Sequence, residues 1–513
     1  MSKGNLLELR FYPIEEQQHR FKVSIEGLSG EVHYEPTLPF LDDAINGRFT
    51  LVKILESTKF ERDNFSEDEQ AWMVREQLLL SERNVFHPEY LPTIGRKLYQ
   101  VIGNHIQQVI DAAVANAKRD RTWLHIRLRF PADDTKYLRL TDYPWELLHN
   151  SYDFLAHQGV TFSRYIAYNS PRPNLPTVEN LHVLLISSGA GDNRMGLRSL
   201  PDTEREAIAQ GLQKAQNEGL IQLEHLVPPT WNALRTRLLE RRNTTVPHVI
   251  HFDGHGFFGK RCNEPGCRKS ATARATHCEC GAPLGEAQGY LVFENFDRTA
   301  DYVSAKELGE LLGNLERREQ PNLEHGIALV VLSACQSGMS RVSETVFNGV
   351  AQKLIGQGIP AVVAMQYSVR VDAASAFSEY FYKSLGQKES LAITLRRGQS
   401  AMGIEGNQWY RPVLYMRWED NDGGQLFKDS SIQLGDVSHS MSTENSRAKQ
   451  PIVKSQGQRI RLQQELDDLI EERDVCNSQY RSAIDEAQRV RLKRKLDDLD
   501  NQIDSLESQL NNI

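Results

Sequence analysis

The chain lacks any long apolar segment. No run of 18 consecutive apolar residues occurs among its 513 residues, whereas a helix that crosses a membrane needs about 20 of them. The first residues, MSKGNLLELRFYP, also lack the apolar stretch and the small-residue cleavage site of a secretion signal. We therefore expect no membrane segment and a cytoplasmic location.

The chain also lacks an excess of positive charge. Its 60 Lys and Arg residues are outnumbered by 68 Asp and Glu residues, so the formal net charge is −8. Nucleic-acid binding depends on a basic surface that neutralises phosphates, so this composition disfavours direct nucleic-acid binding. Hydrophobic residues make up 40% of the chain and charged residues 25%, as in soluble globular proteins. The length predicts two to four structural units.

Cysteine is scarce, and most of it lies in one place. Of six cysteines, four fall within 19 residues: Cys262, Cys267, Cys278 and Cys280. Thiolates at short paired spacings bind zinc tetrahedrally. The last pair is separated by one residue, whereas His277 and Cys280 have the usual two-residue gap, so either Cys278 or His277 could be the fourth ligand. Four protein ligands leave no position for water, so we predict a structural zinc ribbon at 262–281.

The middle of the chain alternates strand-like and helix-like segments. Apolar strands are predicted at 182–186, 221–226, 248–252, 328–332 and 361–364. Helices are predicted between them at 203–218, 231–242, 303–312 and 343–357, and earlier in the chain at 91–115. Nearly continuous apolar strands separated by helices indicate an α/β fold with a parallel sheet covered on both faces. Functional residues of such sheets lie where the strands end at their carboxyl edge.

Two short motifs follow the most apolar of these strands. One is HFDGHG at 251–256, and the other is LSACQSG at 332–338. A free thiol has a pKa of about 8.5 and needs a general base near neutral pH, which an imidazole supplies. Glycine lets backbone N–H groups approach a substrate carbonyl. Each motif alone also fits a buried small residue or a turn, but together they predict a nucleophile, Cys335, and a base, His255.

These motifs resemble those of the CHAT peptidases, caspase-like relatives of separase. The resemblance covers about residues 120–418 and includes four further segments, at 144–148, 200–206, 358–363 and 412–415. It implies a caspase-like sheet and a cysteine endopeptidase in which His255 and Cys335 are the catalytic dyad. It also implies that the amides of Gly256 and Cys335 bind the oxyanion. The activity implied is cleavage of a partner protein in a prokaryotic antiviral or cell-death pathway, activated through a partner.

Two positions depart from the pattern of basic-specific relatives such as metacaspases. Ser333 stands two residues before the nucleophile, where those relatives carry an acid, and Arg370 stands where an acid is common. A basic substrate side chain would lack a buried counter-charge. We therefore expect an apolar, small or acidic residue at P1. His251 and Asp253 are interpreted as alternating strand positions, with an additional catalytic role as the second interpretation.

The end of the chain contains an internal repeat. The pattern QRIRL…LDDL at 458–469 returns as QRVRL…LDDL at 488–499, an offset of 30 residues. The second copy has the 4-3 leucine spacing of a coiled-coil seam: Leu492, Leu496, Leu499, Ile503, Leu506 and Leu510. An offset of 30 is four heptads plus two residues, so a straight helix would lose its apolar stripe. We favour a helical hairpin that turns near 483–487, with a single oligomerisation helix as the alternative.

Together these features divide the chain into four parts. They are an N-terminal α/β region at 1–120, a CHAT peptidase domain at 121–425, a flexible linker at 426–456 and a helical hairpin or coiled coil at 457–513. We expect the tail to bind a protein activator or recruiter, or a second copy of the chain. The alternative function is a catalytically inactive caspase-like scaffold that assembles a signalling complex through its tail. Retention of both His255 and Cys335 favours the enzyme.

Overall fold

The computed structural model describes most of the chain before residue 428 and a few positions after it. The described residues are 5–14, 19–27, 30–41, 47–57, 59–132, 139–169, 178–201, 203–239, 246–264, 266–316, 326–335, 346–403, 408–417, 423–427, 473, 492–493, 495–496 and 499–500. The chain divides into two compact units, Met1–Asp429 and Ser430–Ile513. The predicted linker from residue 428 onward and the predicted turn at 483–487 lie outside the described residues.

The described part of the first unit contains sixteen strands and ten α-helices. The strands are β1 (Asn5–Pro13), β2 (Phe21–Gly27), β3 (Gly30–Tyr34), β4 (Leu79–Leu80), β5 (Val85–Phe86), β6 (Leu124–Pro131), β7 (Val160–Ala167), β8 (Leu181–Ser187), β9 (Ile221–His225), β10 (Val249–Arg261), β11 (Ser270–Thr272), β12 (Gln288–Glu294), β13 (Ala300–Ser304), β14 (Leu329–Cys335), β15 (Ala361–Met365) and β16 (Pro412–Met416). The helices are α1 (Gly47–Glu56), α2 (Glu67–Arg75), α3 (Tyr90–Val101), α4 (Asn104–Arg119), α5 (Thr203–Asn217), α6 (Trp231–Leu239), α7 (Ala305–Glu316), α8 (Val346–Gly356), α9 (Val371–Gly386) and α10 (Leu391–Ala401).

Fourteen of these strands form one mixed, mostly parallel sheet. Its order is β13-β12-β10-β14-β15-β16-β7-β6-β1-β2-β3, with β8 and β9 attached beside β10. The central pairs β8–β9, β8–β10, β10–β14 and β14–β15 are all parallel. The predicted α/β class, a mostly parallel sheet flanked by helices, is confirmed.

The alternation of side chains along β14 separates two hydrophobic cores. Leu329 and Val331 belong to the core that includes Phe377 of α9, whereas Val330 and Leu332 belong to the core on the other face. Successive side chains of a strand project to opposite faces, so a strand that is apolar at every position must be covered on both sides. The continuous apolar run of β14 is therefore the direct cause of its central position.

The N-terminal strands continue the sheet of the predicted peptidase domain. β1 pairs in parallel with β6 and antiparallel with β2, so residues near the start of the chain form the far edge of the same sheet. The helical segment predicted at 91–115 is divided into α3 and α4 around Gly103, which has a φ of +83°. A Cβ atom there would lie 2.7 Å from the ring of Tyr34, so close approach also requires glycine.

One predicted helix start differs by two residues from the structure. Val303 and Ser304 complete β13, and α7 begins at Ala305. The Ser304 hydroxyl accepts a hydrogen bond from the Glu307 N–H at 3.2 Å, and the Glu307 carboxylate accepts one from the Ser304 N–H at 2.9 Å. This reciprocal capping box fixes the start of α7.

The described positions of the second unit are helical. Nη1 of Arg473 lies 3.9 Å from Oδ1 of Asp500. In one straight helix, residues separated by this many positions would lie about 40 Å apart. Arg473 and Asp500 therefore do not belong to one straight helix, and a two-helix hairpin remains our proposal for this unit. No helix in the described part of either unit is long and apolar enough to cross a membrane.

Candidate active site and cysteine cluster

β10 carries the first motif and continues beyond it. Its residues 249–253 pair in parallel with β8, and its residues 255–259 pair antiparallel with β12. The prediction that the strand ends before the GHG sequence is therefore wrong, since the strand runs to Arg261. The physical reason is that β12 takes over the hydrogen bonding of this edge of β10 where β8 ends.

The register of β10 and β14 places the two candidate catalytic residues beside each other. The Cα atom of His255 pairs with that of Cys335, the last residue of β14. Neighbouring strands lie about 4.8 Å apart, which is within reach of a nucleophile and its base. The side chain of Cys335 and residues 336–345 lie outside the described part of the structure. The backbone thus brings the predicted pair together at the carboxyl end of β14.

The imidazole of His255 is fully buried and oriented by a backbone group. Its Nε2 atom lies 2.5 Å from the carbonyl oxygen of Arg198. A carbonyl only accepts hydrogen bonds, so Nε2 donates its proton to Arg198. In the neutral ring this leaves Nδ1 without a proton, and Nδ1 is then the atom that can act as a base.

Glycine before His255 leaves room for two neighbouring side chains. A Cβ atom at Gly254 would lie 2.8 Å from the ring of Phe252 and 3.3 Å from the Cβ atom of Ser188. The N–H of Ser188 donates a hydrogen bond to the carbonyl oxygen of Asp253 at 2.8 Å. The segment after β8 is therefore attached to β10 directly before the candidate base.

A cavity of about 450 Å³ lies at the carboxyl ends of β8 and β9. The segment that follows Arg198 forms one wall, and Ser187, Arg205 and Glu294 contribute polar groups. Oε1 of Glu294 accepts a hydrogen bond from the Gly189 N–H at 3.0 Å. The cavity thus occupies the edge of the sheet where α/β proteins bind ligands.

His251 lies deeper in the same strand. Its side chain is fully buried, and Nδ1 lies 2.8 Å from the hydroxyl oxygen of Tyr382 in α9. Burial lowers the pKa of His251 to about 4, although the charge of Asp253 acts in the opposite direction. These contacts favour the interpretation of His251 as a core residue over a catalytic role.

Sequence reasoning missed a buried ion pair that supports this edge of the sheet. The guanidinium of Arg164 in β7 donates to Glu146 from Nε at 3.0 Å and from Nη2 at 2.5 Å. Burial lowers the pKa of Arg164, but the nearby Glu146 carboxylate raises it above its ordinary value. Nη2 also donates to Oε1 of Gln366 at 2.7 Å, directly after β15. An arginine within the buried strand β7 was the signal that could have revealed it.

The four clustered cysteines converge as the sequence predicted. Their Sγ atoms all lie within 4.8 Å of one another. The distance is 3.6 Å between Sγ of Cys262 and Cys280, and also between Sγ of Cys267 and Cys278. A tetrahedral zinc ion with Zn–S bonds of about 2.3 Å separates its sulfur ligands by about 3.8 Å. The cluster therefore has the donor set and the dimensions of a tetrahedral thiolate metal site.

The structure also distinguishes the two candidates for the fourth ligand. Cys278 belongs to the cluster, whereas Nδ1 of His277 lies 3.2 Å from Oγ1 of Thr276 on the exposed side. The N–H of Ala282 lowers the pKa of the Cys280 thiol to about 7, so a thiolate forms there readily. Four cysteines, rather than three and a histidine, would hold the metal.

Comparison with protein families agrees with this architecture. A family model described as "CHAT domain" matches residues 93–414, well over half of the chain. The fold is that of a caspase-like cysteine peptidase. The chain belongs to the CHAT domain family. Two further models match its ends, "Ternary complex associated domain 3" at residues 1–47 and "Effector-associated domain 9" at residues 454–513.

Solved structures with similar folds are more distant. A separase from Saccharomyces cerevisiae, in complex with securin, is 12% identical with a TM-score of 0.42 over 81% of this chain. The matched region is 30% of the separase chain, so this chain spans about a third of that protein. The Arg-specific cysteine proteinase gingipain R is 12% identical with a TM-score of 0.34, over 63% of this chain and 69% of that chain. A comparison with curated proteins finds no match.

Proposed function

We propose that this chain is a cysteine endopeptidase in which His255 and Cys335 form the catalytic dyad. The observation that carries the proposal is the register of β10 and β14, which pairs the Cα atoms of these two residues. Membership of the CHAT domain family supports the same chemistry. Residues that pair across neighbouring strands share a face of the sheet, so this register favours contact between thiol and imidazole.

In this proposal the two nitrogens of the His255 imidazole have different roles. With Nε2 held as a donor to that carbonyl, Nδ1 of His255 accepts the proton of the Cys335 thiol. The thiolate then attacks the substrate carbonyl, and the imidazolium returns the proton to the leaving amine. General-base assistance of this kind contributes about 10²–10⁴ in rate. In the proposal, the amides of Gly256 and Cys335 stabilise the oxyanion.

The test is a comparison of cleavage products in a host proteome. New protein N-termini should appear with the wild-type chain and be absent with Cys335→Ala and with His255→Ala. The double variant should be no worse than either single variant, because the two groups act as a unit. Cys476→Ala and His277→Ala are matched controls for loss of a thiol and of an imidazole. New N-termini that persist with Cys335→Ala would refute the dyad and favour a scaffold function.

We also propose that the cysteine cluster binds one structural zinc ion. Four thiolates complete a tetrahedral coordination shell and leave no position for a substrate or water. The cluster begins at Cys262, directly after β10 ends at Arg261. Bound zinc would hold together the turns that follow this strand. The proposed role is therefore stabilisation of the insert at 262–281, without participation in the chemistry.

We propose further that the C-terminal helices bind a protein that activates or recruits the peptidase. The match of residues 454–513 to a model named for association with effectors supports this role. The match of residues 1–47 to a model named for ternary complexes supports assembly with other proteins. A second copy of this chain is the alternative partner. We place the activity in a prokaryotic antiviral or cell-death pathway, on the resemblance to the CHAT peptidases.

A further inference from the structure

A row of three polar residues crosses the sheet two positions before the candidate dyad along the strands. Asp253 of β10 pairs with Ser187 of β8 on one side and with Ser333 of β14 on the other. The next pair of β10 and β14 toward the carboxyl edge is His255 with Cys335, two residues further along each strand. Because strand side chains alternate, residues two positions apart share a face of the sheet. The polar row therefore belongs to the same face as the dyad.

The groups in this row have unusual surroundings for a protein core. Asp253 is only 8% exposed and Ser333 only 1% exposed. The Ser187 hydroxyl donates a hydrogen bond to Oδ2 of Asp253 at 3.1 Å. The hydroxyl oxygen of Ser333 is buried without a hydrogen-bond partner among the described residues. Buried hydroxyls nearly always have a partner, so the Ser333 hydroxyl has capacity for a hydrogen bond to a group outside the described residues.

We propose that Ser187, Asp253 and Ser333 form the floor of the pocket that binds the P1 side chain of the substrate, and that Asp253 selects lysine or arginine there. The inference rests on the proposed peptidase function. Two residues of a strand span about 7 Å. The row therefore lies about the length of one long side chain from the scissile bond, toward the centre of the sheet. Lysine and arginine reach that far, and a carboxylate with neighbouring hydroxyls matches their charge and their several N–H donors.

This inference reverses the expectation drawn from sequence about P1. That expectation considered the position two residues before the nucleophile, where Ser333 stands. The structure places a carboxylate at the same level on the neighbouring strand, in register with Ser333. The other departing residue, Arg370, is directed elsewhere, since its Nε donates to Oδ1 of Asp372 at 3.0 Å and both side chains are exposed. The acid is therefore present on the strand of the base rather than on that of the nucleophile.

The test uses the full-length chain and peptidyl acyloxymethyl ketones that differ only at P1. The probes carry arginine, lysine, norleucine or aspartate at that position, and mass spectrometry follows covalent labelling of Cys335. We expect the arginine or lysine probe to react at least about 30-fold faster than the norleucine probe, the factor expected for a buried charge pair. Asp253→Asn should reduce this ratio by a similar factor.

A relocated carboxylate separates recognition from a purely structural role of Asp253. The variant Asp253→Ser/Ser333→Asp moves the acid to the adjacent strand at the same level, and should recover most of the preference for a basic probe. A wild-type preference for norleucine or aspartate would overturn the inference, as would an unchanged ratio in Asp253→Asn. If Asp253→Asn does not fold, the order in which the wild-type chain reacts with the four probes is sufficient to test the inference. Labelling by none of the probes would instead overturn the proposed peptidase function and this inference with it.

Discussion

Removal of the Glu146 carboxylate is expected to destabilise the first unit strongly. The Arg164 side chain is completely buried and that of Glu146 is 2% exposed. In Glu146→Ala the guanidinium keeps neutral acceptors, namely the Thr141 carbonyl oxygen at 2.7 Å and Oε1 of Gln366 at 2.7 Å. It loses its hydrogen bonds to the Glu146 carboxylate, the only anionic hydrogen-bond acceptor of Arg164 in the described part of the chain.

Breaking a buried ion pair by removing one partner costs about 3–5 kcal/mol, because an uncompensated charge remains in the core. The retained neutral acceptors offset part of this cost, so we expect about 3 kcal/mol of lost unfolding free energy for Glu146→Ala. Replacing both residues by apolar side chains of similar size removes the charge as well. The double variant Arg164→Met/Glu146→Leu should therefore be more stable than Glu146→Ala alone.

The assay is urea-induced unfolding of the full-length chain, followed by tryptophan fluorescence. Asp120→Ala is a matched control, because it removes the carboxylate of the exposed Arg119–Asp120 pair, whose side chains are 72% and 52% exposed. Exposed pairs contribute about 0–1 kcal/mol, so this control should change stability very little. The reasoning would be refuted if the unfolding free energy of Glu146→Ala were within about 1 kcal/mol of the wild-type value. It would also be refuted if Arg164→Met/Glu146→Leu were the least stable of the three variants.

Three further predictions concern the metal, the pH dependence and the tail. Elemental analysis should find one zinc per chain, lost in Cys267→Ser and retained in His277→Ala; less than half an equivalent in untreated wild-type protein would contradict the zinc site. Burial lowers the pKa of His251 from 6.5 to about 4, so protonation of its imidazole opposes folding. The unfolding free energy of the wild type should therefore fall by about 2 kcal/mol between pH 7 and pH 5 because of this residue. Urea unfolding of His251→Gln should show a smaller fall in unfolding free energy between pH 7 and pH 5. An equal fall would show that His251 is not its cause. Deleting residues 430–513 should leave cleavage of a short peptide unchanged but greatly slow cleavage of the natural protein substrate; an equal rate on that protein would exclude recruitment by the tail.

The central part of the fold could be predicted because its strands are apolar at nearly every position. The run at 328–332 can only be a buried strand or a buried helix segment, and its short length and β-branched residues favour the strand. The cysteine cluster could also be predicted, since spacing alone identifies candidate thiolate ligands. The choice between Cys278 and His277 needed the three-dimensional path of the turn, which places only Cys278 beside the other three thiols.

The remaining features depend on contacts between distant parts of the chain. The pairing of β1 with β6 joins residues more than 110 positions apart, and no local pattern predicts it. The extension of β10 past His255 depends on β12, which the sequence analysis did not identify as a strand. Asp253 seemed to be an ordinary strand position until the register showed it level with Ser333. Register between strands separated by many residues is set by the whole sheet, so sequence alone could not reveal this row.

The most direct test of the dyad is the site of covalent modification by a peptide-based thiol probe. The full-length protein should be treated with an arginine and a norleucine acyloxymethyl ketone, digested and mapped by mass spectrometry. Cys476 is an internal control for simple thiol reactivity, because it belongs neither to the proposed dyad nor to the cysteine cluster. The account predicts an adduct on Cys335 that is lost in His255→Ala. An adduct confined to Cys476, or labelling of Cys335 that is as fast in His255→Ala as in the wild type, would contradict it.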